Sequence, residues 1–195
     1  MDINKQVNTA GAFILFNDLF VFMVGPNQEN DLYVVRLGGH KENNETAVEC
    51  LKREINEEAS ISVIPVNSPI TYYVESWNEE PCLLSKSLKG DLCPIIIKGK
   101  ENGSLSLLYF AYSDEEPKPD SETHGILFLT LKDIDSISNE MITIEDFLKS
   151  GGKALFRKEL RKDVTLKPGA HLSFLSMLCK RHPDLVDNFI RKQLK

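Results

Sequence analysis

The feature that most limits the possible folds of this chain is a glycine pair followed by a charge-rich segment with helical periodicity. The segment covers residues 39–61 and reads GHKENNETAVECLKREINEEASI. A helix advances about 100° per residue, so the apolar residues of this segment fall on one stripe. These residues are Ala47, Val48, Leu51, Ile55 and Ala59. The segment therefore predicts an amphipathic helix that packs on a core through this stripe.

Three glutamates share one turn of this predicted helix. Glu58 falls between Ala47 and Leu51 on the face expected to be buried, Glu54 lies at its margin, and Glu57 is one turn from Glu54. Carboxylates at this spacing repel each other, and burying them without a partner costs several kcal/mol per charge. A hard cation such as Mg²⁺ removes the conflict because it prefers oxygen ligands. A solvated Glu-rich helix is the alternative, but it leaves the apolar stripe and the glycine pair unexplained.

The residues around the glutamates predict how the helix begins, ends and is held. Asn44 is a candidate N-cap, and Gly38-Gly39 permits a tight turn. Arg53 precedes Glu57 by four residues, so the two side chains can pair and hold the carboxylates in place. Ser60 lies where the helix should end in a left-handed residue, at a cost of about 1 kcal/mol relative to glycine.

As a pattern, the segment is G-x5-E-x7-R-E-U-x-E-E-x-S-U, with U aliphatic, and it resembles the Nudix box. Ser60 is the one departure, because the family has glycine there. The resemblance implies an α+β chain folded as an α/β/α sandwich with a mixed sheet. It also implies metal ligation by the Gly39 carbonyl, Glu54, Glu57 and Glu58, with Mg²⁺ as the cofactor and Mn²⁺ as a substitute.

The same resemblance implies a hydrolase that cleaves a phosphoanhydride bond through a metal-bound water. Its catalytic residues map to Arg53, Glu54 and Glu122. Family members take their general base either from the box, here Glu54, or from a distant loop, here Glu122 between residues 112 and 125. Four other residues of that loop compete for this role: Glu115, Glu116, Asp120 and His124.

Composition limits the class of partner and the compartment. The chain has 195 residues and a net charge of −6, and no basic patch stands out early in the sequence, which argues against duplex nucleic acid as a partner. Four cysteines show no zinc spacing, and no signal peptide is visible. Residues 11–24 are apolar but interrupted by Asn17-Asp18, which predicts a hairpin rather than a membrane span. We therefore expect a cytoplasmic protein without membrane contact, and a homodimer is compatible with the sequence.

The order of elements predicts an α+β fold with a C-terminal addition. Short β-type runs lie at residues 12–16, 19–24, 32–37, 61–66, 70–75, 94–98, 105–112 and 126–131. A further helix is predicted over residues 143–150. The hydrolase domain is expected to cover residues 1–150, and residues 151–195 to form a helical extension packed on it. The many lysines and arginines of this extension favour either a solvated face or a lid that reaches substrate phosphates.

The substrate itself is not specified by the box. A nucleotide sugar, a dinucleotide and a nucleoside triphosphate all remain open, and Leu37 occupies a position where many relatives have proline. Trp77, in an extra loop over residues 76–92, is a candidate for stacking on a base or for filling a crevice. The competing function is a non-catalytic Nudix-like module that binds a nucleotide and regulates a partner, although such a module would be expected to lose box glutamates. An acidic interaction domain is the third and weakest alternative.

Overall fold

The computed structural model describes residues 6–28, 31–85, 88, 92–100, 103–120 and 123–193. Within these residues, thirteen strands form one mixed sheet. The strands are β1 (Val7–Phe16), β2 (Leu19–Gln28), β3 (Asp31–Val35), β4 (Leu37–His40), β5 (Ile64–Val66), β6 (Tyr72–Val74), β7 (Cys82–Leu83), β8 (Ile96–Lys98), β9 (Leu105–Tyr112), β10 (Gly125–Leu129), β11 (Ile142–Thr143), β12 (Lys153–Phe156) and β13 (Thr165–Pro168). The helices are α1 (Ala47–Ala59), α2 (Leu131–Asn139), α3 (Ile144–Lys149), α4 (Ala170–Arg181) and α5 (Pro183–Gln193).

The main path of the sheet is β11-β13-β3-β2-β1-β9-β8-β6-β7. Strand β1 is parallel to β9, and β13 is parallel to β3, whereas β1 and β2 are antiparallel. Three strands branch from this path: β4 pairs with β1, β5 pairs with β9, and β10 joins β2 and then β12. The sheet is therefore mixed, as predicted.

Strand β1 has two partners on one side, and this fork positions the glycine pair. Its second half pairs with β2 through Ile14 to Phe16, and its first half pairs with β4. In the β4 register, Gly11 lies opposite Gly38 and Ala10 lies opposite Gly39. The glycine pair is consequently fixed against the middle of the sheet, directly before the predicted helix.

Helices cover both faces of the sheet. On one face, Ala47, Leu51 and Ile55 of α1 pack with Ala10 and Ile14 in what we call the α1-side core. The other face carries the α4-side core, to which α2, α3, α4 and α5 all contribute buried side chains. This arrangement confirms the predicted α+β class and the three layers of helix, sheet and helix.

The prediction of an all-helical extension is wrong for its first half. Residues 170–193 do form two helices, but β12 and β13 precede them and join the sheet. Strand β13 pairs with β3 and β11, and β12 pairs with β10. Each strand has only four residues, too few for a clear alternation. Hydrogen bonds to strands more than 20 residues away along the chain hold them in place.

The hairpin prediction at residues 17–18 is confirmed. Asn17 and Asp18 have positive φ values of 46° and 64°, and Phe16 pairs with Leu19 across the turn. Positive φ at both central residues is typical of the two-residue hairpins whose twist matches that of the flanking strands. None of the helices in the described part of the chain has the length and apolarity that a membrane crossing requires.

Candidate functional site

The N-cap of helix α1 is Thr46 rather than the predicted Asn44. The Thr46 hydroxyl accepts a hydrogen bond from Glu49 N, and the Glu49 carboxylate accepts one from Thr46 N at 2.7 Å. This reciprocal capping box satisfies two of the donors that a helix start leaves free. Asn44 instead has a φ of 70° in the preceding turn, a conformation that asparagine tolerates better than most residues.

The buried side of α1 matches the predicted stripe except at one position. Ala47, Leu51, Ile55 and Ala59 are fully or almost fully buried, but Cys50 takes the place expected for Val48. Glu58 is also buried, with only 7% of its surface exposed. A carboxylate is thus held within the apolar stripe, as the helical spacing predicts.

The glycine pair receives two of the glutamates at close range. Gly38 has a φ of +122°, which L side chains rarely adopt, and its N–H donates to Glu58 Oε2 at 2.6 Å. A β-carbon on Gly39 would overlap the Glu54 carboxylate. Glycine is therefore required at both positions, once for the backbone angle and once for the approach of Glu54.

Three consecutive carbonyls next to the glutamates each accept a side-chain donor. Arg36 Nη1 donates to Gly38 O, Cys50 Sγ donates to Gly39 O at 3.7 Å, and Arg53 Nη2 donates to His40 O at 2.9 Å. Burial raises the pKa of Cys50 to about 11, so its thiol is neutral at neutral pH. Because a thiol is a weak donor, Gly39 O is the carbonyl that a cation would engage most easily.

Arg53 joins the glutamates into one network. Its Nη1 donates to Glu54 Oε1 at 3.0 Å and to Glu57 Oε2 at 2.9 Å, and its Nε donates to Glu45 Oε1 at 2.7 Å. The hydrogen bond with Glu45 is the main cause of a raised Arg53 pKa, and it lowers the pKa of Glu45 in return. The predicted Arg53–Glu57 pair is confirmed, and Glu45 proves to be a second anchor of the guanidinium.

These groups fit a hard divalent cation in their chemistry. Glu54 and Glu58 meet the glycine pair from α1, and all the expected ligands are oxygens, which Mg²⁺ prefers. The Glu57 side chain is 55% exposed, against 14% for Glu54, so Glu57 has the greater freedom to turn toward an ion. Among the described residues, no three His, Cys, Asp or Glu side chains already converge as a complete ligand set. Residues Gly39, Glu54, Glu57 and Glu58 would therefore assemble around the ion.

The end of α1 is tied to the loop that follows β9. Ser60 has the left-handed conformation predicted for it, with φ 53° and ψ 37°, and its hydroxyl donates to Asp120 Oδ2 at 3.0 Å. The Glu58 carbonyl accepts from Asp120 N at 3.1 Å and from the Thr123 hydroxyl at 3.0 Å. Glu122 itself lies outside the described residues, but residues close to it on both sides are fastened to the last turn of α1.

Three candidates for the general base are placed less favourably than Asp120 and Thr123, the two loop residues that bind to α1. They are Glu115, Glu116 and His124. Glu115 accepts a hydrogen bond from Ser62 N at 2.7 Å, beyond the helix end. Glu116 and His124 are exposed. Glu116 also lines a cavity of about 870 Å³ next to the Asn17–Asp18 turn, at the other end of β1. No residue between 36 and 60 lines that cavity, so it is separate from the glutamates.

Sequence reasoning missed two residues near this site, Arg36 and His171. Arg36 packs on Gly11 so closely that a β-carbon there would overlap its side chain. Burial lowers the Arg36 pKa, although Glu58 and Glu54 oppose the effect. A charged residue in the otherwise apolar run of residues 32–37 was the signal available in the sequence. His171 is in the first turn of α4, and its ring centroid lies 4.9 Å from that of Trp77. No residue close to His171 in the sequence predicts this contact.

No model of a known protein family matches the chain, and no curated protein matches it. Solved structures do resemble it. A hydrolase of the NUDIX family from Clostridium perfringens shares 23% identity over 69% of this chain and 87% of that chain, with a TM-score of 0.49. An ADP-ribose pyrophosphatase from Streptococcus suis shares 16% identity over 90% of this chain and 91% of that chain, with a TM-score of 0.44. A NUDIX hydrolase from Nitrosomonas europaea shares 16% identity over 65% of this chain and 58% of that chain, also with a TM-score of 0.44. All three likenesses are distant.

Proposed function

We propose that this chain is a Mg²⁺-dependent hydrolase of the Nudix type. Its substrate would be a nucleoside diphosphate linked to another moiety, cleaved at a phosphoanhydride bond. The observation that carries the proposal is the arrangement of three box glutamates: Glu54 and Glu58 meet Gly38-Gly39, and Arg53 holds Glu54 and Glu57 with one nitrogen. Mn²⁺ is expected to substitute for Mg²⁺, since both prefer oxygen ligands.

The chain's own residues prepare this site in three ways. Arg53 donates to both Glu54 and Glu57 and so holds the two carboxylates next to each other. Gly38 N–H fixes Glu58 in its buried position, where an unpaired carboxylate would be costly. Gly39 presents a backbone oxygen beside them. A bound divalent cation would supply charge neutralisation for the diphosphate and a water of lowered pKa.

Two acids remain as proposals for the general base. Glu54 is already hydrogen-bonded to Arg53 and is one of the proposed ligands, so its carboxylate is largely engaged. Glu122 belongs to the loop that Asp120 and Thr123 fasten to α1, and an acid there would approach from a different side. We favour Glu122. Glu122→Gln should then lower kcat strongly, leave Mg²⁺ affinity intact and flatten the acidic limb of the pH–rate profile. Wild-type kcat and pH dependence in this variant would transfer the role to Glu54 or another loop acid.

The metal site is tested by Glu57→Gln and Glu58→Gln. Each change removes one charged ligand, so we expect turnover to fall by about two orders of magnitude or more and Mg²⁺ binding to weaken. Phosphate or nucleotide release should be measured with nucleotide sugars, dinucleotides and nucleoside triphosphates over a Mg²⁺ titration. Calorimetric titration of Mg²⁺ gives the affinity independently of turnover.

The control is Glu140→Gln, which neutralises an exposed glutamate after α2, far along the chain from the box. It should keep wild-type turnover and Mg²⁺ affinity. Melting curves in EDTA should show that the two box variants remain folded, because relief of repulsion offsets their lost contacts. Near-normal turnover in both box variants would refute the proposed function.

A further inference from the structure

A polar row crosses the sheet on the face that α4 covers. Thr9 of β1, Ser106 of β9 and Lys98 of β8 are neighbours in register, and the Thr9 hydroxyl donates to the Ser106 hydroxyl at 2.7 Å. Two residues further along these strands, Leu108 and Ile96 belong to the α4-side core. Since side chains alternate between faces, Lys98 and Ser106 lie on that same face, where the apolar core ends.

Arg36 lies beside this row on the same face. It follows Val34, a member of the α4-side core, by two residues, and its side chain extends over Gly11 of β1. Nη1 donates to Gly38 O, but Nε is buried and has no hydrogen-bond partner in the part of the chain that the structure describes. A buried donor without an acceptor is unfavourable, so Arg36 Nε has a hydrogen bond to offer to a water or to a bound ligand.

The first turn of α4 lies against the end of β3, on the same face of the sheet as Arg36. Gly169 N donates to Val34 O at 2.9 Å, which places the helix start against the end of β3. The first helical hydrogen bond recorded for α4 runs from Ser173 N to Gly169 O, so the N–H groups of residues 170–172 precede the helical pattern. Gly169 provides no side-chain cap. This end of a helix carries partial positive charge and suits an anion.

His171, in the first turn of α4, lies within the electrostatic range of both cations. Burial lowers the pKa of His171 to about 3, and the charges of Arg36 and then Lys98 lower it further. The imidazole is therefore neutral at neutral pH. Trp77 meets His171 edge to face, with ring centroids 4.9 Å apart. On the side of the box, Arg36 donates to Gly38 O and Gly38 N–H donates to Glu58, so the cluster adjoins the proposed metal site.

We propose that Arg36, Lys98 and the first turn of α4 form a subsite that binds a phosphate group of the substrate, next to the box glutamates. Arg36, the polar row that ends in Lys98 and the start of α4 lie on the same face of the sheet, and Arg36 donates to the carbonyl of Gly38, whose N–H donates to Glu58. The inference rests on the proposed function only in that the anion is taken to be the substrate's. The C-terminal segment would then take a direct part in substrate binding. Trp77 would lie at the edge of the subsite, where the base or sugar of the substrate extends away from it.

Binding without metal tests the subsite separately from hydrolysis. Trp77 is the only tryptophan of the chain, and its position beside His171 makes its fluorescence a local reporter. ADP, inorganic pyrophosphate and adenosine should each be titrated into the full chain in EDTA. We expect saturable fluorescence changes with ADP and pyrophosphate. Lys98→Gln and Arg36→Gln should each weaken both by about tenfold or more, the effect of losing a charge-assisted hydrogen bond.

Two further variants make the result decisive. Lys132→Gln, an exposed lysine of α2, should bind as wild type does, which controls for net charge. Glu57→Gln should lose hydrolysis but keep metal-free ADP binding. The binding result can therefore be interpreted even if the proposed function fails. Should Arg36→Gln not fold, Lys98→Gln carries the test alone. Unchanged ADP affinity in Lys98→Gln, no response of wild type to either phosphate compound, or binding of adenosine but not pyrophosphate would each overturn the subsite.

Discussion

Ser60 combines an unfavourable backbone conformation with a favourable side-chain contact. Its left-handed φ of 53° costs a non-glycine residue about 1 kcal/mol. Its hydroxyl also bonds to Asp120, a contact that glycine cannot make, and such a bond contributes about 1 kcal/mol. The two effects are of similar size. Serine at this position therefore exchanges the relaxed backbone of glycine for a tether between α1 and the loop that contains Glu122.

This balance predicts different outcomes for two substitutions of Ser60. Ser60→Gly relieves the backbone and loses the tether, so the free energy of unfolding should stay within about 0.5 kcal/mol of wild type. Ser60→Ala keeps the strain and loses the tether, so unfolding should become easier by about 1 kcal/mol. Urea titrations followed by circular dichroism measure both. Equal stability of the alanine variant and wild type would show that the hydroxyl contributes nothing.

At the scale of elements, three of the described helices begin in a way that depends only on residues close together in the sequence. Thr46, Thr130 and Thr143 each cap a helix, and each is followed three residues later by an acid that completes a capping box. The capping pattern at Thr143 predicts α3. At Thr130 the apolar run 126–131 predicts a strand throughout, and this prediction is wrong at its last residues. Strand β10 ends at Leu129 and α2 begins at Leu131, because the capping hydrogen bonds outweigh a continuing apolar pattern.

At the scale of the whole molecule, the C-terminal segment is an integral part of the fold, because it adds strands to the sheet and covers one of its faces. Strand β13 lies between β11 and β3, and β12 extends the sheet beyond β10. Helices α4 and α5 cover the α4-side core, where Phe174 stacks on Phe13 and Phe189 stacks on Phe110 with ring centroids 6.3 Å and 4.5 Å apart. Residues 1–150 alone would expose this core and leave the edges of β3 and β10 unpaired.

Removal of residues 151–195 should therefore abolish cooperative folding. Without α4 and α5 the α4-side core loses several fully buried side chains, each of which stabilises a fold by about 1.5–3 kcal/mol, against a total stability of roughly 5–15 kcal/mol. Thermal melts and binding of a hydrophobic dye should show an unfolded or loosely packed chain. A chain of residues 1–182, which lacks only α5, is the graded control and should melt cooperatively at a lower temperature. A cooperative melt of residues 1–150 near that of the full chain would contradict the expectation.

Features that depend on neighbours along the chain could be predicted from the sequence. The stripe of α1, the burial of Glu58, the left-handed Ser60, the Arg53–Glu57 pair and the hairpin at Asn17-Asp18 all follow from spacing and from local backbone preference. These interactions join residues no more than one or two turns apart, so their geometry is set once the local conformation is set. The box glutamates could be chosen as candidate ligands for the same reason.

The distant residues that meet those glutamates could not be predicted in this way, because tertiary packing brings them together. The approach of Gly38 N–H to Glu58 and the packing of Arg36 on Gly11 each depend on strand register. The insertion of β13 beside β3 depends on it as well. Register is fixed by hydrogen bonds and core packing summed over many strands, and no short stretch of sequence contains that sum. The surroundings of the site are therefore a property of the assembled sheet, whereas its carboxylates are a property of one helix.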